Sequence, residues 1–300
     1  MTFAKLTATA HYAPEQVVTN DDLSQIMETS DEWIASRTGI RQRHIVQDEN
    51  TSDLAANVGQ QLLAKASLAA EDLDFIIVAT VSPDGNMPST ASLVQAKLGA
   101  SKAFAFDLTA ACSGFVYALS VADKLITSGA YRNGIVIGAE VLSKIVDWSD
   151  RSTSVLFGDG AGAVLVEASE EEGFGVQNSF LRTDGQGLPF LHMKAGGSVC
   201  PPSRFTVDHR MHYLYQEGRT VFRYAVTDMG NDVEEVLKRN EMTTEDVNWV
   251  IPHEANLRII EAVAKRINLP LEKVVVNIQR YGNTSAATIP LALWDHERHL

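Results

Sequence analysis

The length, composition and charge of this chain exclude several classes of protein at the outset. Its 300 residues (32.7 kDa) include 45% hydrophobic and 21% charged residues, which is ordinary for a globular protein and excludes a disordered or low-complexity chain. A net charge of −13 and a pI near 5.0 argue against a nucleic-acid-binding protein, whose surface must offset phosphate charge. A chain of this length is predicted to form two domains or one large duplicated body.

Cysteine usage and apolar runs indicate the compartment of the protein. Two cysteines, Cys112 and Cys200, are too few for a disulfide framework and fit a reducing environment. The N-terminus, MTFAKLTATA, lacks the basic region and long apolar run of a signal peptide. The most continuous apolar run, 75–81, is far shorter than the ~20 residues that a membrane helix needs. The sequence therefore predicts a soluble, cytoplasmic protein that does not span a membrane.

In the first half of the chain, β-rich runs alternate with segments of helical periodicity, the pattern of an α/β protein. Helices are predicted over 53–66, 89–98 and 113–128, and strands over 75–81, 103–108, 134–139 and 161–167. Ser89 is positioned to cap the second of these helices and Gly129 to end the third. The predicted order of elements is β-α-β-α-β-α-β-β.

The second half is predicted to repeat that order, so that the chain divides into halves at 1–170 and 171–300. Strands are predicted over 176–181, 249–251 and 274–277, and helices over 219–239, 257–267 and 285–293. Asn256 could cap the second of these helices, and the stretch 183–216 is predicted to be a loop or insertion. The closing strand pair of the first half has no counterpart. We expect that about two strands are missing, rather than that the architecture is asymmetric, because a shortened sheet exposes its edge.

The predicted repeat places Cys112, His253 and Asn283 at three strand-to-helix junctions, where ligands gather in parallel α/β sheets. The three side chains are therefore expected to converge. Backbone N–H groups at the start of a helix favour an anion, so the pKa of Cys112 is expected to fall from ~8.5 towards neutrality. The thiolate would then be a nucleophile for acyl transfer. By position alone, an inert buried cysteine is an equally good interpretation, and Cys200 has no comparable setting.

His253 and Asn283 could supply the polar groups that acyl chemistry requires. A neutral imidazole donates and accepts hydrogen bonds near pH 7, and a side-chain amide offers an uncharged N–H donor to an oxyanion or enolate. Each signal is weak alone, since Gly-Asn is a common turn and most single histidines have no catalytic task. No catalytic task is assigned to the other histidines, which are His11, His44, His192, His209, His212, His296 and His299. No metal site is predicted, and 158–162 is predicted to be a tight turn rather than a phosphate-binding loop.

Six short motifs are distributed along the chain. They are SDEWIASRTGIR (30–41), TAACSG (109–114), DWSDRS (147–152), LFGDGAG (156–162), PHEAN (252–256) and GNTSAA (282–287). Together they resemble β-ketoacyl-acyl-carrier-protein synthase III, the initiating condensing enzyme of bacterial fatty-acid synthesis, over the whole chain. The resemblance implies the thiolase fold, a duplicated α/β architecture with five layers (α-β-α-β-α), normally as a homodimer.

The resemblance also implies a reaction, the decarboxylating Claisen condensation of a short acyl-CoA with malonyl-acyl carrier protein. Cys112 would take the acyl group from acyl-CoA. His253 and Asn283 would bind the malonyl thioester carbonyl and stabilise the enolate that forms as CO₂ leaves. Attack of this carbanion on the acyl-cysteine would give the 3-oxoacyl carrier protein, with no cofactor beyond the coenzyme A thioester substrate.

Binding residues follow from the same resemblance. Trp33 and Arg151 match the pair that holds the adenine of coenzyme A between an aromatic face and a guanidinium. Arg37 matches a residue near the coenzyme phosphates, and Asn256 one near the pantetheine arm. Arg258 is predicted to bind the acidic carrier protein, which a chain of charge −13 can meet only with a local basic patch. Nearby basic residues of that patch are Arg223, Lys265 and Arg266.

The chain departs from the family pattern at two places. Family members usually carry Gln where this chain has Glu254, and a carboxylate there could raise the pKa of His253 or alter an interface. The family also ends with a glycine-rich strand pair, in which a glycine N–H forms the oxyanion hole together with the N–H of Cys112. Loss of one such donor typically costs ~10²–10³ in rate. We therefore hypothesise that the sequence is a truncated form of an active enzyme.

Several alternatives belong to other reaction classes. A hydrolase could use Cys112 and His253 with water, and a paralogue without activity could serve as a scaffold. Thiolases place Asn before His in the second half, elongating condensing enzymes use two histidines, and the Trp33 and Arg151 motifs disfavour hydroxymethylglutaryl-CoA synthases and plant-type polyketide synthases. Met87 matches a position that bounds the acyl pocket across the dimer, but the choice of starter acyl group stays open.

Overall fold

The computed structural model describes residues 2–299, and its secondary structure alternates strands and helices as an α/β protein does. The strands are β1 (Phe3–Tyr12), β2 (Gln16–Thr19), β3 (Gln42–Ile45), β4 (Phe75–Ala79), β5 (Phe104–Leu108), β6 (Asn133–Glu140), β7 (Gly160–Ser169), β8 (Leu191–Met193) and β9 (Leu214–Gln216). The α-helices are α1 (Asn20–Ser24), α2 (Asp31–Thr38), α3 (Thr51–Ala66), α4 (Thr90–Leu98), α5 (Gly114–Thr127), α6 (Arg151–Ser154), α7 (Arg204–Asp208), α8 (Gly218–Arg239), α9 (Leu257–Arg266), α10 (Ile278–Tyr281) and α11 (Thr288–His296).

A five-stranded sheet in the order β1-β7-β6-β4-β5 forms the centre of the molecule. Strands β6, β4 and β5 are parallel, while β7 and β1 run antiparallel to their neighbours. Every residue of β4 is buried, because helices cover both faces of the sheet. Ile76 and Val78 pack against α3 and α4 on one face, and Ile77 packs against α5 on the other.

The elements predicted for the first half are confirmed, with ends that move by one or two residues. Ser89 caps α4, since its hydroxyl accepts the N–H of Ser92 at 3.2 Å, and Gly129 follows α5 with a left-handed φ of +78°. The first strand, β1, had no predicted bounds. Strand β1 pairs antiparallel with β7 along its length, from Phe3 opposite Ser169 to Tyr12 opposite Ala161. Its partner is more than 140 residues away in the sequence, so the pairing could not be predicted from a local pattern.

The second-half helices over 219–239 and 257–267 are confirmed, but its predicted strands are wrong. Residues 176–181 form no strand, and 249–251 and 274–277 share only one bridge, between Val250 and Val274. Such short segments need further neighbouring strands to extend a ladder, and Pro252 interrupts the first of them because it has no N–H. The helix predicted from 285 begins as a 3₁₀ turn and continues as α11. The insertion 183–216 carries α7 and the β8–β9 pair.

The division into halves at residue 170 stays a prediction, although β7 ends close to it, at Ser169. Among the described residues, no helix is long and apolar enough to cross a membrane.

Candidate active site

Cys112, His253 and Asn283 line one cavity of about 570 Å³. The three residues come from three separate turns of the chain, so their convergence is a property of the tertiary structure. This confirms the expected convergence, although the segments before His253 and Asn283 share a single bridge and are not the strands that were predicted. The cavity wall is otherwise mostly apolar, as is usual for a site that takes an organic ligand.

Cys112 lies in a tight turn, Ala111–Ser113, between the end of β5 and the start of α5. Ala111 adopts a left-handed φ of +49°, which makes the turn sharp enough to present the next side chain to the cavity. Burial raises the pKa of the Cys112 thiol to about 11, the buried Glu140 adds to the rise, and the nearby Ser285 hydroxyl opposes it. The expected lowering of the pKa by the helix N-terminus is therefore wrong, because loss of hydration outweighs it.

His253 directly follows Pro252 and lies three residues after Val250, which forms the bridge with Val274. Burial lowers the pKa of His253 to about 4, while the neighbouring carboxyl of Glu254 pulls the pKa upward with a smaller effect. The imidazole is consequently neutral near pH 7, as predicted. Its Nδ1 atom is buried and has no hydrogen-bond partner among the described residues. The ring therefore keeps polar capacity that a ligand could use.

Asn283 is 5% exposed and its backbone is anchored to the first half of the chain. Its N–H donates to the carbonyl of Leu156 at 2.9 Å, and its carbonyl accepts the N–H of Gly158 at 3.1 Å. The side-chain Oδ1 accepts the N–H of Ser285 at 2.8 Å. With the oxygen so engaged, the amide N–H₂ is the group available to a ligand in the cavity.

Glu140 is a buried acidic residue that acts on Cys112, and no role was predicted for it from the sequence. Its side chain is fully buried at the end of β6, accepts the N–H groups of Val81 and Ser82 at 3.1 Å each, and accepts the Ser82 hydroxyl. Burial raises its pKa. Two residues earlier, a Cβ on Gly138 would lie 2.1 Å from the carbonyl oxygen of Ala286, so only glycine permits this approach.

Three of the residues predicted to bind coenzyme A are in contact, two arginines with one tryptophan. The guanidinium carbons of Arg37 and Arg151 each lie 4.6 Å from the centroid of the Trp33 ring, so the predicted pair of Trp33 and Arg151 is in contact. A planar ligand could enter between these two groups only if Arg151 moved away from the ring. Trp33 itself is held at the start of α2, where its N–H donates to the Ser30 hydroxyl at 3.1 Å.

Asn256 and Arg258 lie at the start of α9. Asn256 lines the cavity and caps α9, since its Oδ1 accepts the N–H of Arg258 at 2.9 Å; the predicted cap is confirmed. Arg258 is exposed, and its Nε and Nη2 donate to the carbonyl of Ser36 at 3.1 and 2.7 Å. The arginine thus joins α9 to the end of α2, close in sequence to Arg37.

Further cavity residues escaped prediction. The first turns of α8 contribute Gly218, Val221, Phe222 and Ala225 to the wall. The apolar spacing of three and four residues along this helix was the available signal, but it does not tell a core from a ligand cavity. His192, to which no task was assigned, also lines the cavity.

Comparisons with known proteins identify the family to which the chain with this cavity belongs. Residues 106–185 match the family described as 3-oxoacyl-[acyl-carrier-protein] synthase III, and residues 237–299 match its C-terminal part. Over 299 residues the chain is 53% identical to a β-ketoacyl-[acyl-carrier-protein] synthase III of Phocaeicola vulgatus, with 99% of this chain and 89% of the relative covered. The chain belongs to the synthase III family.

Other members of the synthase III family give the same result. A β-ketoacyl-[acyl-carrier-protein] synthase III of Streptococcus mutans is 54% identical over 295 residues, covering 98% of this chain and 89% of the relative. The crystal structure of 3-oxoacyl-[acyl-carrier-protein] synthase III from Aquifex aeolicus is 46% identical, with a TM-score of 0.88 over 99% of this chain and 91% of the other. The similarity confirms the predicted family and its thiolase-type α/β fold.

Proposed function

We propose that this synthase III family member condenses a short acyl-CoA with malonyl-acyl carrier protein, initiating fatty-acid synthesis. The observation that carries the proposal is that Cys112, His253 and Asn283, each within a motif of the family, line the same cavity. The thioester substrates are already activated, so the proposed chemistry needs no cofactor. A cytoplasmic location, predicted from the sequence, is part of the proposal.

In the first half-reaction, the Cys112 sulfur attacks the thioester carbonyl of acyl-CoA. The bond between the carbonyl carbon and the coenzyme sulfur breaks, and the proton of the Cys112 thiol passes to the departing sulfur to give free coenzyme A. Because the pKa of Cys112 is about 11, the resting group is the thiol, and its proton must leave as the new bond forms. We propose the acyl-cysteine intermediate together with the catalytic roles of the three residues.

In the second half-reaction, the malonyl group loses CO₂ and the electron pair moves into the thioester carbonyl, forming an enolate. We propose that neutral His253 and the amide of Asn283 donate hydrogen bonds to this enolate oxygen. The enolate carbon then attacks the acyl-cysteine, releasing the Cys112 thiolate, which takes a proton from solvent. A neutral imidazole suits this role because the pKa of His253 is about 4.

The proposed binding surfaces follow the sequence motifs. Trp33, Arg37 and Arg151 would hold the nucleotide part of the coenzyme and Asn256 its pantetheine arm, while Arg258 would bind the carrier protein. A homodimer through β5 is supported by the exposed edge of that strand, which among residues 2–299 pairs only with β4 and carries stacked Phe104 and Phe106. Sedimentation of the purified protein would measure the assembly directly.

Product analysis tests the reaction. The chain is supplied with acetyl-CoA and malonyl-acyl carrier protein, and CO₂ release and the carrier-bound product are measured, with Cys112→Ser as the control variant. We expect CO₂, a 3-oxoacyl carrier protein and a mass increase of the enzyme by one acyl group, all lost in the variant. Free acid as the sole product would instead indicate a hydrolase, and no turnover with no acylation would indicate a scaffold.

A further inference from the structure

Glu254 is fully buried beside His253. Both oxygens of its carboxyl group accept the backbone N–H of Asn277, at 3.0 and 2.9 Å. The side chain therefore points into the protein and joins the His253 turn to the segment that leads to Asn283. This location places Glu254 inside the protein and not at an interface, which was one of the two effects that the sequence had left open.

The surrounding backbone explains why a side chain makes this connection. Val250 donates its N–H to Lys273 at 2.8 Å and accepts the N–H of Val275 at 3.0 Å, so the two segments run side by side. Pro252 has no N–H, and the pairing ends there. Four residues beyond Val250, the Glu254 carboxyl bridges the two segments where backbone hydrogen bonds no longer do.

Asn277, which is held by Glu254, is close in sequence to Asn283 in the site. It is the residue before α10, and the Gly282 N–H donates to the carbonyl of Ile278 at 2.9 Å at the end of that helix. Asn283 follows directly. Asn277 is held from the other side as well, because its side-chain amide donates to Asp295 of α11 at 2.8 Å. The Glu254 bond thus ties the turn that carries His253 to the segment that leads through α10 to Asn283.

We propose that Glu254 is a positioning residue for the decarboxylating half-reaction, in which its hydrogen bond to Asn277 holds His253 and Asn283 at the separation that one enolate oxygen requires. This inference rests on the proposed function. The first half-reaction uses Cys112, which is carried by a different turn, so Glu254 should matter little for acyl transfer.

The charges around Glu254 make the restraint sensitive to pH. Burial raises the pKa of Glu254 to about 7; the N–H groups of Asn277 and Ile278 and the neighbouring His253 oppose the rise, and Asp295 adds to it. On α10 and α11, Arg280 pairs with Asp295 at 3.3 Å. An ionised carboxylate accepts a stronger hydrogen bond than a neutral carboxyl group, so the positioning should improve as the pH rises through about 7.

Separate assays of the two half-reactions test the proposal. Acyl-enzyme formation is followed by intact mass after rapid mixing with acetyl-CoA, and decarboxylation by ¹⁴CO₂ release from malonyl-acyl carrier protein. Glu254→Ala removes the acceptor, and Glu254→Gln keeps one acceptor oxygen without charge. Asp74→Asn is the control, since the half-buried Asp74 also accepts backbone N–H groups, from Arg132 at 2.6 Å and Asn133 at 3.2 Å, and lies directly before β4, at the end of that strand remote from the site.

We expect Glu254→Ala to lower decarboxylation by about tenfold or more while acylation stays within about twofold of the wild type. Glu254→Gln should restore most of the decarboxylation rate and should abolish the rise of that rate between pH 6 and 8. Asp74→Asn should not separate the two half-reactions. Equal losses in both half-reactions, a Gln variant as slow as the Ala variant, or an unchanged pH profile in Glu254→Gln would overturn the proposal. If the Ala variant does not fold, the pH profile of the Gln variant decides. Absence of both half-reactions in the wild type would instead overturn the proposed function.

Discussion

The protonation state of Cys112 gives the sharpest quantitative prediction. A thiol with a pKa of about 11 has about one thiolate in a thousand molecules at pH 8. Relative to the ordinary value of 9.0, the shift of about two units costs about 2.7 kcal/mol of thiolate stability. Alkylation by iodoacetamide requires the thiolate, so its rate at Cys112 should rise about tenfold for each pH unit between 7 and 10.

A substitution can test the cause of this pKa as well as its value. The nearby Ser285 hydroxyl lowers the Cys112 pKa, so Ser285→Ala should raise it further. Alkylation of this variant at pH 8 should therefore be slower than that of the wild type, with roughly tenfold as the limit that loss of a full hydrogen bond of about 1.5 kcal/mol would give. Ser113→Ala is the matched control, because Ser113 is the exposed residue next to Cys112.

The assay is mass spectrometry of Cys112-containing peptides after timed alkylation, with Cys200, the other free cysteine, followed in the same samples. A rate that levels off below pH 8 would show a thiolate already formed in the resting enzyme. Burial would then not outweigh the helix N-terminus, and the proton transfer described for the first half-reaction would be wrong as well.

Four further predictions concern stability and binding. Ionisation strengthens the hydrogen bond of Glu254 to Asn277, but burying the charge costs more, which is why the Glu254 pKa is raised from 4.5 to about 7. The free energy of unfolding should therefore be highest below pH 4.5 and fall by roughly 3 kcal/mol as the pH rises through about 7 in the wild type, and chemical denaturation should show none of this fall in Glu254→Gln. Gly138→Ala should displace the turn at Ala286 and lower the free energy of unfolding by about 1–3 kcal/mol together with activity, whereas wild-type values would contradict the close approach. Trp33→Ala should raise the KM for acyl-CoA by roughly 3- to 30-fold with little change in kcat, and a selective loss of kcat would count against a binding role. Arg258→Glu should raise the KM for malonyl-acyl carrier protein most strongly at low salt and leave acylation by acyl-CoA unaltered; a salt-independent effect would reject the electrostatic contact.

Local patterns in the sequence determined much of the first half. Strand β4 is a continuous apolar run because helices cover both of its faces, and α4 begins after Ser89 because a hydroxyl satisfies a free N–H there. The motifs around Cys112, His253 and Asn283 were also recognisable, since reactive side chains stand at the turns that follow predicted strands. These features depend on residues within about one turn or strand of each other, which periodicity captures.

Tertiary structure alone decided the electrostatics and the second-half strands. The pKa of Cys112 depends on burial and on Glu140, 28 positions along the chain, and the buried carboxyl of Glu254 meets Asn277 only after the two segments have come together. Residues 249–251 have strand composition, yet they form a single bridge because strand formation requires a partner and not only a propensity. Desolvation and pairing are set by which distant atoms surround a group, and no local pattern in the chain encodes that.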